Sequence, residues 1–165
     1  MNIKRIARHL LTTKRQVRQA FPRSTLGMIE KTIQASEAAH SGEIRFALEG
    51  ALDSGPLFKG QSARERAIEV FSELRVWDTL HNNGLLIYLL LADRAVEIVA
   101  DRGIDAKVSA QEWRTICQQM ETAFKQSNYE AGVLSGVQAV TRHLAVHFPA
   151  DGLSGNELQD NPVLL

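Results

Sequence analysis

The most constraining feature of the sequence is an unbroken apolar run from Leu85 to Ala92. A run of this length that contains β-branched and aromatic residues is typical of a central β-strand whose two faces are both covered. It has less than half the length of a transmembrane helix, so the sequence predicts no transmembrane segment. The remaining segments must therefore supply the layers that cover this strand.

Two further strands are predicted around this run. Asp93-Arg94 is the one plausible turn before the apolar segment 95–100, which predicts an antiparallel hairpin. Residues 43–49 (EIRFALE) alternate between polar and apolar side chains, as a strand with one buried face does. Between these strands, the segment from Ser62 to Glu65 indicates a capping box that opens a crossover helix. Because such crossovers are right-handed, the strands before and after the helix are expected to be parallel.

Helical segments flank this core at both ends of the chain. Apolar residues recur at helical spacing from Leu26 to Ile33, and a second capping box at Ser109 opens a longer helical pattern. A last helix is expected up to Phe148, where Pro149 stops it. We therefore predict an α/β three-layer sandwich, with a small mixed central sheet (a βαββ core) flanked by helices, two of them N-terminal and two C-terminal.

Length and composition predict one domain with short additions at each end. At 165 residues the chain is near the commonest domain size, and 44% apolar residues are enough for one core. We assign residues 24–150 to a single α/β domain, preceded by a basic amphipathic arm over residues 1–22. Residues 151–165 are rich in Asp, Gly, Asn and Pro and are predicted to be a polar tail.

Charge is unevenly distributed along the chain. Nineteen basic and nineteen acidic residues cancel, so no overall field favours nucleic acid as a partner. Residues 1–29, however, carry seven of the basic side chains and no acidic one. Residues 3–21 are expected to form a basic helix whose apolar stripe contains Ile6, Leu10 and Leu11. Such a helix either lies weakly on a membrane surface or docks on its own domain, and the short stripe without Trp favours docking.

Cysteine usage and the N-terminus predict a cytoplasmic protein. Cys117 is the single cysteine, which excludes an intrachain disulfide and favours a buried apolar role. The N-terminus has no continuous apolar stretch like that of a secretory signal. His143 and His147 have the spacing of a zinc pair, but no glutamate follows the first histidine, so we interpret them as surface or partly packed residues.

The predicted topology gathers polar residues at the two ends of the sheet. Glu43, Asn83 and Asp101 are expected at one end, and their carboxylate and amide oxygens are the ligands that Ca²⁺ or Mg²⁺ prefers. Glu49 and Asp93 are expected at the opposite end, beyond the carboxyl ends of the parallel strands, where open α/β sheets commonly bind ligands. At either end the alternative interpretation is ordinary turn chemistry with solvated acids.

Several short motifs follow one another in a fixed order over most of the chain. They are SGEIR at 41–45 followed by Glu49; Ala67, Phe71, Leu74 and Thr79; NGLLIY at 83–88; DRGI at 101–104; Trp113; and Phe148-Pro149 followed by NEL at 156–158. This order resembles that of the TPM domain family. The resemblance implies an α/β domain, the binding of a divalent cation such as calcium, and an acid phosphatase activity claimed for a plant relative.

Two hypotheses about function follow from the residues and the resemblance. In the first, the chain is a divalent-cation-binding accessory or adaptor domain that docks on a protein partner. In the second, it is a metal-dependent acid phosphatase-like phosphoester hydrolase. The acidic body and the lack of a recognisable nucleophile motif favour the first. Four further residues are expected to support the cation ligands: Arg45, Thr79, Gly84 and Gly103.

Overall fold

A four-stranded mixed sheet lies at the centre of the computed structural model, which describes residues 3–152 and 155–165. Its strands are β1 (Glu43–Glu49), β2 (Gly84–Leu90), β3 (Ala95–Ala100) and β4 (Val163–Leu164), in the order β3-β2-β1-β4. β1 runs parallel to β2 and β4, and β2 runs antiparallel to β3. The predicted hairpin and the predicted parallel pair are both confirmed.

β2 is buried along its whole length, as the apolar run predicts. Each residue from Leu85 to Leu90 is 0% exposed. β1 is also buried at every position, whereas its alternating sequence predicts one exposed face. Its polar residues Glu43, Arg45 and Glu49 do not face water, because the chain covers both sides of the sheet.

Eight helices surround the sheet within the described residues. They are α1 (Ile3–Leu11), α2 (Lys14–Ala20), α3 (Arg23–Ser36), α4 (Ser54–Phe58), α5 (Ala63–Glu73), α6 (Arg102–Asp105), α7 (Ala110–Lys125) and α8 (Tyr129–His147). The predicted capping boxes are confirmed, since Ser62 and Ser109 each make both reciprocal hydrogen bonds at the starts of α5 and α7. In the part of the chain that the structure describes, no helix is long and apolar enough to cross a membrane.

The helices form a layer on each face of the sheet. On one face, α3, α7 and α8 pack on side chains of β1 and β2 such as Phe46 and Ile87. On the other face, α4 and α5 pack on Leu86 and Tyr88 of β2. The three layers are those of the predicted α/β sandwich.

The N-terminal arm consists of two helices rather than the single predicted helix. The break occurs at Thr13, whose Oγ1 accepts a hydrogen bond from the Gln16 N–H while the Gln16 side chain accepts one from the Thr13 N–H. This capping box makes α2 a separate helix. The N–H groups of Thr13 and Gln16 donate to side chains, whereas in a continuous helix they would donate to the carbonyls of the preceding turn. As a result, α1 lies on the domain as a separate element.

The C-terminal segment holds more structure than the sequence indicates. Val163 and Leu164 pair with Ala47 and Leu48 to form β4, and the Leu165 N–H donates to the Leu48 carbonyl. A two-residue strand is too short to show an alternation of polar and apolar residues in the sequence. Its pairing depends on where β1 lies in the fold. The sheet therefore has a fourth strand beyond the three that were predicted.

A close backbone contact fixes the start of β2. A Cβ on Gly84 would collide with the carbonyl oxygen of Val76, which is itself 0% exposed and packed in the core. By contrast, a Cβ on Gly27 in α3 would meet no atom within 4 Å. Gly84 is therefore required by packing, whereas Gly27 is not.

Alanine substitutions at these two glycines should have opposite effects on stability. We expect Gly84→Ala to lower the free energy of unfolding by about 1–3 kcal/mol or more, because Val76 has nowhere to move. Gly27→Ala should raise it by about 0.5–1 kcal/mol, because alanine is the better helix former. Urea unfolding followed by circular dichroism measures both, and equal stability of the two variants would contradict the contact at Val76.

Candidate functional site

Asp93, at the carboxyl end of β2, is the docking point of α1. Its Oδ2 lies 2.8 Å from Arg5 Nε, and its Oδ1 lies 3.4 Å from Arg8 Nη2 and 3.1 Å from His9 Nε2. His9 Nδ1 accepts the Leu52 N–H at 3.0 Å, so Nε2 is the nitrogen that carries the proton and faces Asp93. This carboxylate holds a helix in place and has cationic neighbours of its own.

Glu49, at the same end of the sheet, faces a different cation. Its Oε2 accepts hydrogen bonds from Arg66 Nε at 2.9 Å and from the Tyr88 hydroxyl at 2.8 Å. Burial, followed by the nearby Glu49 charge, raises the pKa of Tyr88, so the phenol stays protonated and donates. The two predicted residues of this end, Glu49 and Asp93, are thus each balanced by separate arginines.

A wide cleft of about 1150 Å³ opens beside this end of the sheet. It lies between α1 and α2 on one side and the loop before α8 on the other, with the β2–β3 turn as its floor. Arg8, Leu11, Arg94 and Tyr129 are among its lining residues. The cleft is open and mixed in polarity, and the hydrogen-bonded faces of Glu49 are not part of its lining.

At the amino end of the parallel strands, Glu43 is held by the C-terminal segment. Its Oε1 and Oε2 accept the backbone N–H groups of Glu157 and Leu158 at 3.1 and 3.2 Å. Burial raises the pKa of Glu43, and these two N–H donors oppose the rise. The side chain therefore points toward residues 157–158 and away from β2.

Asn83, the second predicted ligand, is 0% exposed and has an unpaired oxygen. Its N–H donates to Thr79 Oγ1 at 3.1 Å, and its Nδ2 donates to the Ser41 carbonyl at 3.0 Å. Its Oδ1 is buried with no hydrogen-bond partner in the described part of the chain. Thr79 thus supports Asn83 directly, and one amide oxygen remains available.

Asp101, the third predicted ligand, caps α6. Its Oδ1 accepts the Arg102 N–H at 2.8 Å, while its Oδ2 is buried and has no partner among the residues described. Gly103 packs against the chain here, since a Cβ on it would strike the carbonyl oxygens of His81 and Asn82. The expected supporting role of Gly103 therefore takes the form of a tight backbone approach.

The three predicted ligands lie at one end of the sheet, and each side chain has its own hydrogen-bond partners. Glu43 pairs with Gly84 in the sheet, and the Asp101 N–H donates to the Gly84 carbonyl, so the two acids flank this glycine on either side. Neighbouring strands are about 4.8 Å apart, which places their backbones on the order of 10 Å from each other. The Glu43 N–H donates to the Asn83 carbonyl at 3.4 Å, whereas the side chains of Glu43, Asn83 and Asp101 bind different backbone groups.

Two acidic residues that the sequence reasoning missed lie beside Glu43. The Glu37 carboxyl donates a hydrogen bond to Asp160, and its pKa is raised to about 7. The causes are partial burial, this hydrogen bond, and the negative charges of Asp160 and Glu43. We call Glu37, Glu43 and Asp160 the acid cluster.

A small cavity of about 40 Å³ adjoins the acid cluster. Glu37, Glu43, His40 and Asn156 help to line it, and Asn156 Nδ2 donates to both oxygens of Asp160 at 3.1 Å. Burial lowers the pKa of His40, so this histidine stays neutral and adds no positive charge. Among the described residues, no three His, Cys, Asp or Glu side chains are arranged as around a preformed metal centre.

Arg45, on β1, is the cation whose charge acts on the cluster. The side chain is 6% exposed, and its Nη1 is buried without a hydrogen-bond partner in the described segments. Burial lowers the pKa of Arg45, and the Asp160 charge partly opposes this. Arg45 thus lowers the local negative potential without closing an ion pair with Glu37 or Glu43.

Cys117 and the histidine pair behave as predicted. Burial raises the pKa of Cys117 to about 12, so the thiol is not a nucleophile at neutral pH. His143 is partly buried, with its ring against Trp113 at a centroid distance of 5.3 Å, and His147 is likewise partly buried. These residues contribute to packing.

Comparison with known proteins places the chain in one family. The model of the TPM domain matches residues 16–143. The chain is similar to BA42, a protein of the psychrophilic bacterium Bizionia argentinensis, with 30% identity and a TM-score of 0.76 over 86% of this chain and 93% of BA42. No curated protein matches it.

A second solved structure shares the fold. It is the N-terminal domain of a protein from P. gingivalis, with 21% identity and a TM-score of 0.60 over 76% of this chain and 77% of that domain. At this identity the likeness concerns the fold alone. The family model covers strands β1 to β3, helices of both layers and all the predicted site residues, and the chain therefore belongs to the TPM domain family.

Proposed function

We propose that the chain is a non-catalytic domain that binds a divalent cation at the amino end of its parallel strands and serves as an accessory or adaptor for a partner. The observation that carries the proposal is the acid cluster, in which Glu37 is hydrogen-bonded to Asp160 and the charges of Asp160 and Glu43 help to raise its pKa. Carboxyl groups are brought this close at a cost in charge repulsion, which either a shared proton or a cation relieves. A cation would take the place of that proton.

The donor atoms at this end suit a hard cation. Ca²⁺ and Mg²⁺ take oxygen ligands from carboxylates, amides, backbone carbonyls and water. Glu37 and Asp160 would supply carboxylate oxygens, and Glu43 is already oriented beside them. The unpaired oxygens of Asn83 and Asp101 are further oxygen donors at the same end of the sheet.

The opposite end of the sheet supports a cation less well. Glu49 already has the Arg66 guanidinium at 2.9 Å, and Asp93 has Arg5 at 2.8 Å. A metal ion there would have to displace buried or half-buried arginines from their carboxylates. The pairing of these acids with protein cations favours the amino end as the cation site.

The non-catalytic form of the proposal rests on the groups beside the cluster. Glu43 is fixed by two backbone N–H donors, and His40 is a buried neutral side chain bonded to Ser36 at 3.2 Å. The cavity of about 40 Å³ is close to the room that one ion or water needs, and it is too small for a phosphoester. The site geometry supports binding rather than turnover.

Replacement of Glu37 should weaken calcium binding. In a Ca²⁺ titration followed by backbone amide shifts, we expect changes centred on Glu37, Glu43 and Asp160, with an affinity of about 10⁻⁴ to 10⁻³ M. Glu37→Gln keeps a hydrogen bond to Asp160 but removes a charge, and should weaken binding by about tenfold or more. Glu30→Gln, on α3 about two turns before Glu37, is the matched control and should leave the affinity unchanged.

The outcomes of this titration separate the two locations at this end of the sheet. Shifts around Asn83 and Asp101 that survive in Glu37→Gln and vanish in Asp101→Asn would move the site to the other side of Gly84. No shift anywhere at millimolar Ca²⁺ or Mg²⁺ would remove the cation proposal altogether. A metal-dependent phosphatase activity lost in Glu37→Gln would replace the adaptor role with the hydrolase.

The raised pKa of Glu37 also predicts how stability and binding depend on pH. The raised pKa keeps a proton on Glu37 in the folded state up to about pH 7, whereas the unfolded chain loses it near the ordinary carboxyl pKa of 4.5. In the metal-free protein the folded state thus binds more protons across this window, and stability should fall as the pH rises through it. Calcium affinity should rise over the upper part of the same window, because the cation competes with this proton.

Thermal unfolding with and without Ca²⁺ from pH 5 to pH 8 tests this dependence. Glu37→Gln has no proton to lose at this position, so its metal-free stability should depend less steeply on pH. A wild-type protein whose stability rises across the window, or a Glu37→Gln variant with an unchanged slope, would contradict the raised pKa of Glu37.

A further inference from the structure

α1 docks on the domain through the polar side of the helix. Arg5 and His9 face the body, together with Ile6, which packs partly in the core beneath α5. The apolar side chains of the opposite side are left in water: Ile3 is 76% exposed, Leu10 64% and Leu11 71%. The expected docking of the apolar stripe is therefore only partly realised, since Ile6 alone of its large residues packs inward.

Buried polar contacts hold α1 in this orientation. The His9 side chain is 0% exposed between Asp93 and the Leu52 N–H, and Arg5 Nη2 donates to the Gln61 carbonyl at 2.8 Å. Turning the helix to bury Leu10 and Leu11 would leave the partly buried Asp93 carboxylate without Arg5 and Arg8, which is unfavourable. The outward stripe is thus a consequence of the Asp93 contacts.

The exposed stripe is surrounded by positive charge. Lys4 and Arg8 stand beside it on α1 and are exposed, and α2 adds the exposed residues Lys14, Arg15 and Arg18. No acidic residue occurs among residues 3–29. The surface that complements α1 and α2 must therefore combine apolar groups with negative charge.

A neighbouring loop adds to this surface. Because Arg5 binds the Gln61 carbonyl, the end of the loop that contains α4 lies against α1. On that loop Phe58 is 55% exposed, and Lys59 beside it is exposed as well. An aromatic and a basic side chain thus repeat the composition of α1 on an adjacent element.

We propose that α1, with the basic side chains of α2, lies on the surface of an anionic lipid bilayer. Helices that carry an apolar stripe flanked by Lys and Arg lie in the plane of the membrane interface, with the stripe among the acyl chains. Each basic residue near an anionic leaflet adds to the attraction. The outward side of α1 carries the exposed Ile3, Leu10 and Leu11 together with the exposed Lys4 and Arg8, so both its apolar and its charged groups complement an anionic lipid surface.

The distribution of acids orients the domain on such a surface. The acid cluster lies at the amino end of the parallel strands, whereas α1 docks at Asp93 on the carboxyl end. A seven-residue strand is about 23 Å long, so the acids are held away from an anionic surface that binds α1. The match to the family model begins at residue 16, after the end of α1.

Flotation with lipid vesicles tests the proposal on the full-length protein. We expect it to float with phosphatidylcholine vesicles that contain about 30% phosphatidylglycerol and not with pure phosphatidylcholine, and about 0.5 M salt should release it. The double variant Leu10→Ser with Leu11→Ser should partition at least about tenfold more weakly. Lys14→Gln with Arg15→Gln should weaken binding to a similar degree.

Leu80→Ser is the matched control. Leu80 is 76% exposed, as exposed as the residues of the stripe, but lies in the loop before β2 at the amino end of the sheet. Its partitioning should equal that of the wild type, and circular dichroism should show that all the variants remain folded. In Leu10→Trp, the indole emission should shift to the blue when anionic vesicles are added.

Three results would overturn the proposal. The first is the absence of flotation with anionic vesicles at millimolar lipid, and the second is equal flotation with neutral and anionic vesicles. The third is an equal loss of vesicle binding in Leu80→Ser and in the double variant Leu10→Ser with Leu11→Ser. An acidic protein as the true partner of α1 would give the first of these results. None of the variants touches Glu37, Glu43 or Asp160, so the outcome is independent of the cation proposal.

Discussion

The burial of β2 on both faces is the constraint on which the rest of the structure depends. Six consecutive side chains, Leu85 to Leu90, are inaccessible to water, so a helical layer must cover each face of the sheet. β1 lies beside β2 under the same two layers, and its acids and arginine are enclosed with it. Polar groups in such a sheet must find partners within the chain or at the ends of the strands.

The two ends of the sheet solve this problem in opposite ways. At the carboxyl end, Glu49 and Asp93 are each neutralised by arginines, and the second of these contacts attaches α1. At the amino end, Glu43 accepts two backbone N–H groups, and Glu37 is hydrogen-bonded to Asp160. The carboxyl end thus pairs its acids with arginines, whereas at the amino end the pKa of one acid, Glu37, is raised to about 7.

The sequence predicts the local features of this fold better than the remote ones. The hairpin at Asp93-Arg94 and the caps at Ser62 and Ser109 depend on residues within a few positions of each other. The contact of Glu37 with Asp160 joins residues more than a hundred positions apart, and no periodicity marks it. The orientation of α1 was not predicted. The apolar pattern locates the stripe on the helix, but it does not reveal the ion pair between Arg5 and Asp93, which turns the stripe outward.

The short strand β4 has a consequence for the fate of the chain when it is damaged. Val163 and Leu164 pair with part of the outer edge of β1. The N–H groups of residues 157–158 donate hydrogen bonds to the side chain of Glu43, at the start of the same strand. Loss of this segment by cleavage would leave backbone donors and acceptors of an apolar strand open to pairing. Open edges of this kind recruit strands from other molecules. The C-terminal segment thus covers a strand edge that would otherwise be open. A protein cleaved before this segment would expose the edge of β1 to pairing with other molecules, which leads to aggregation.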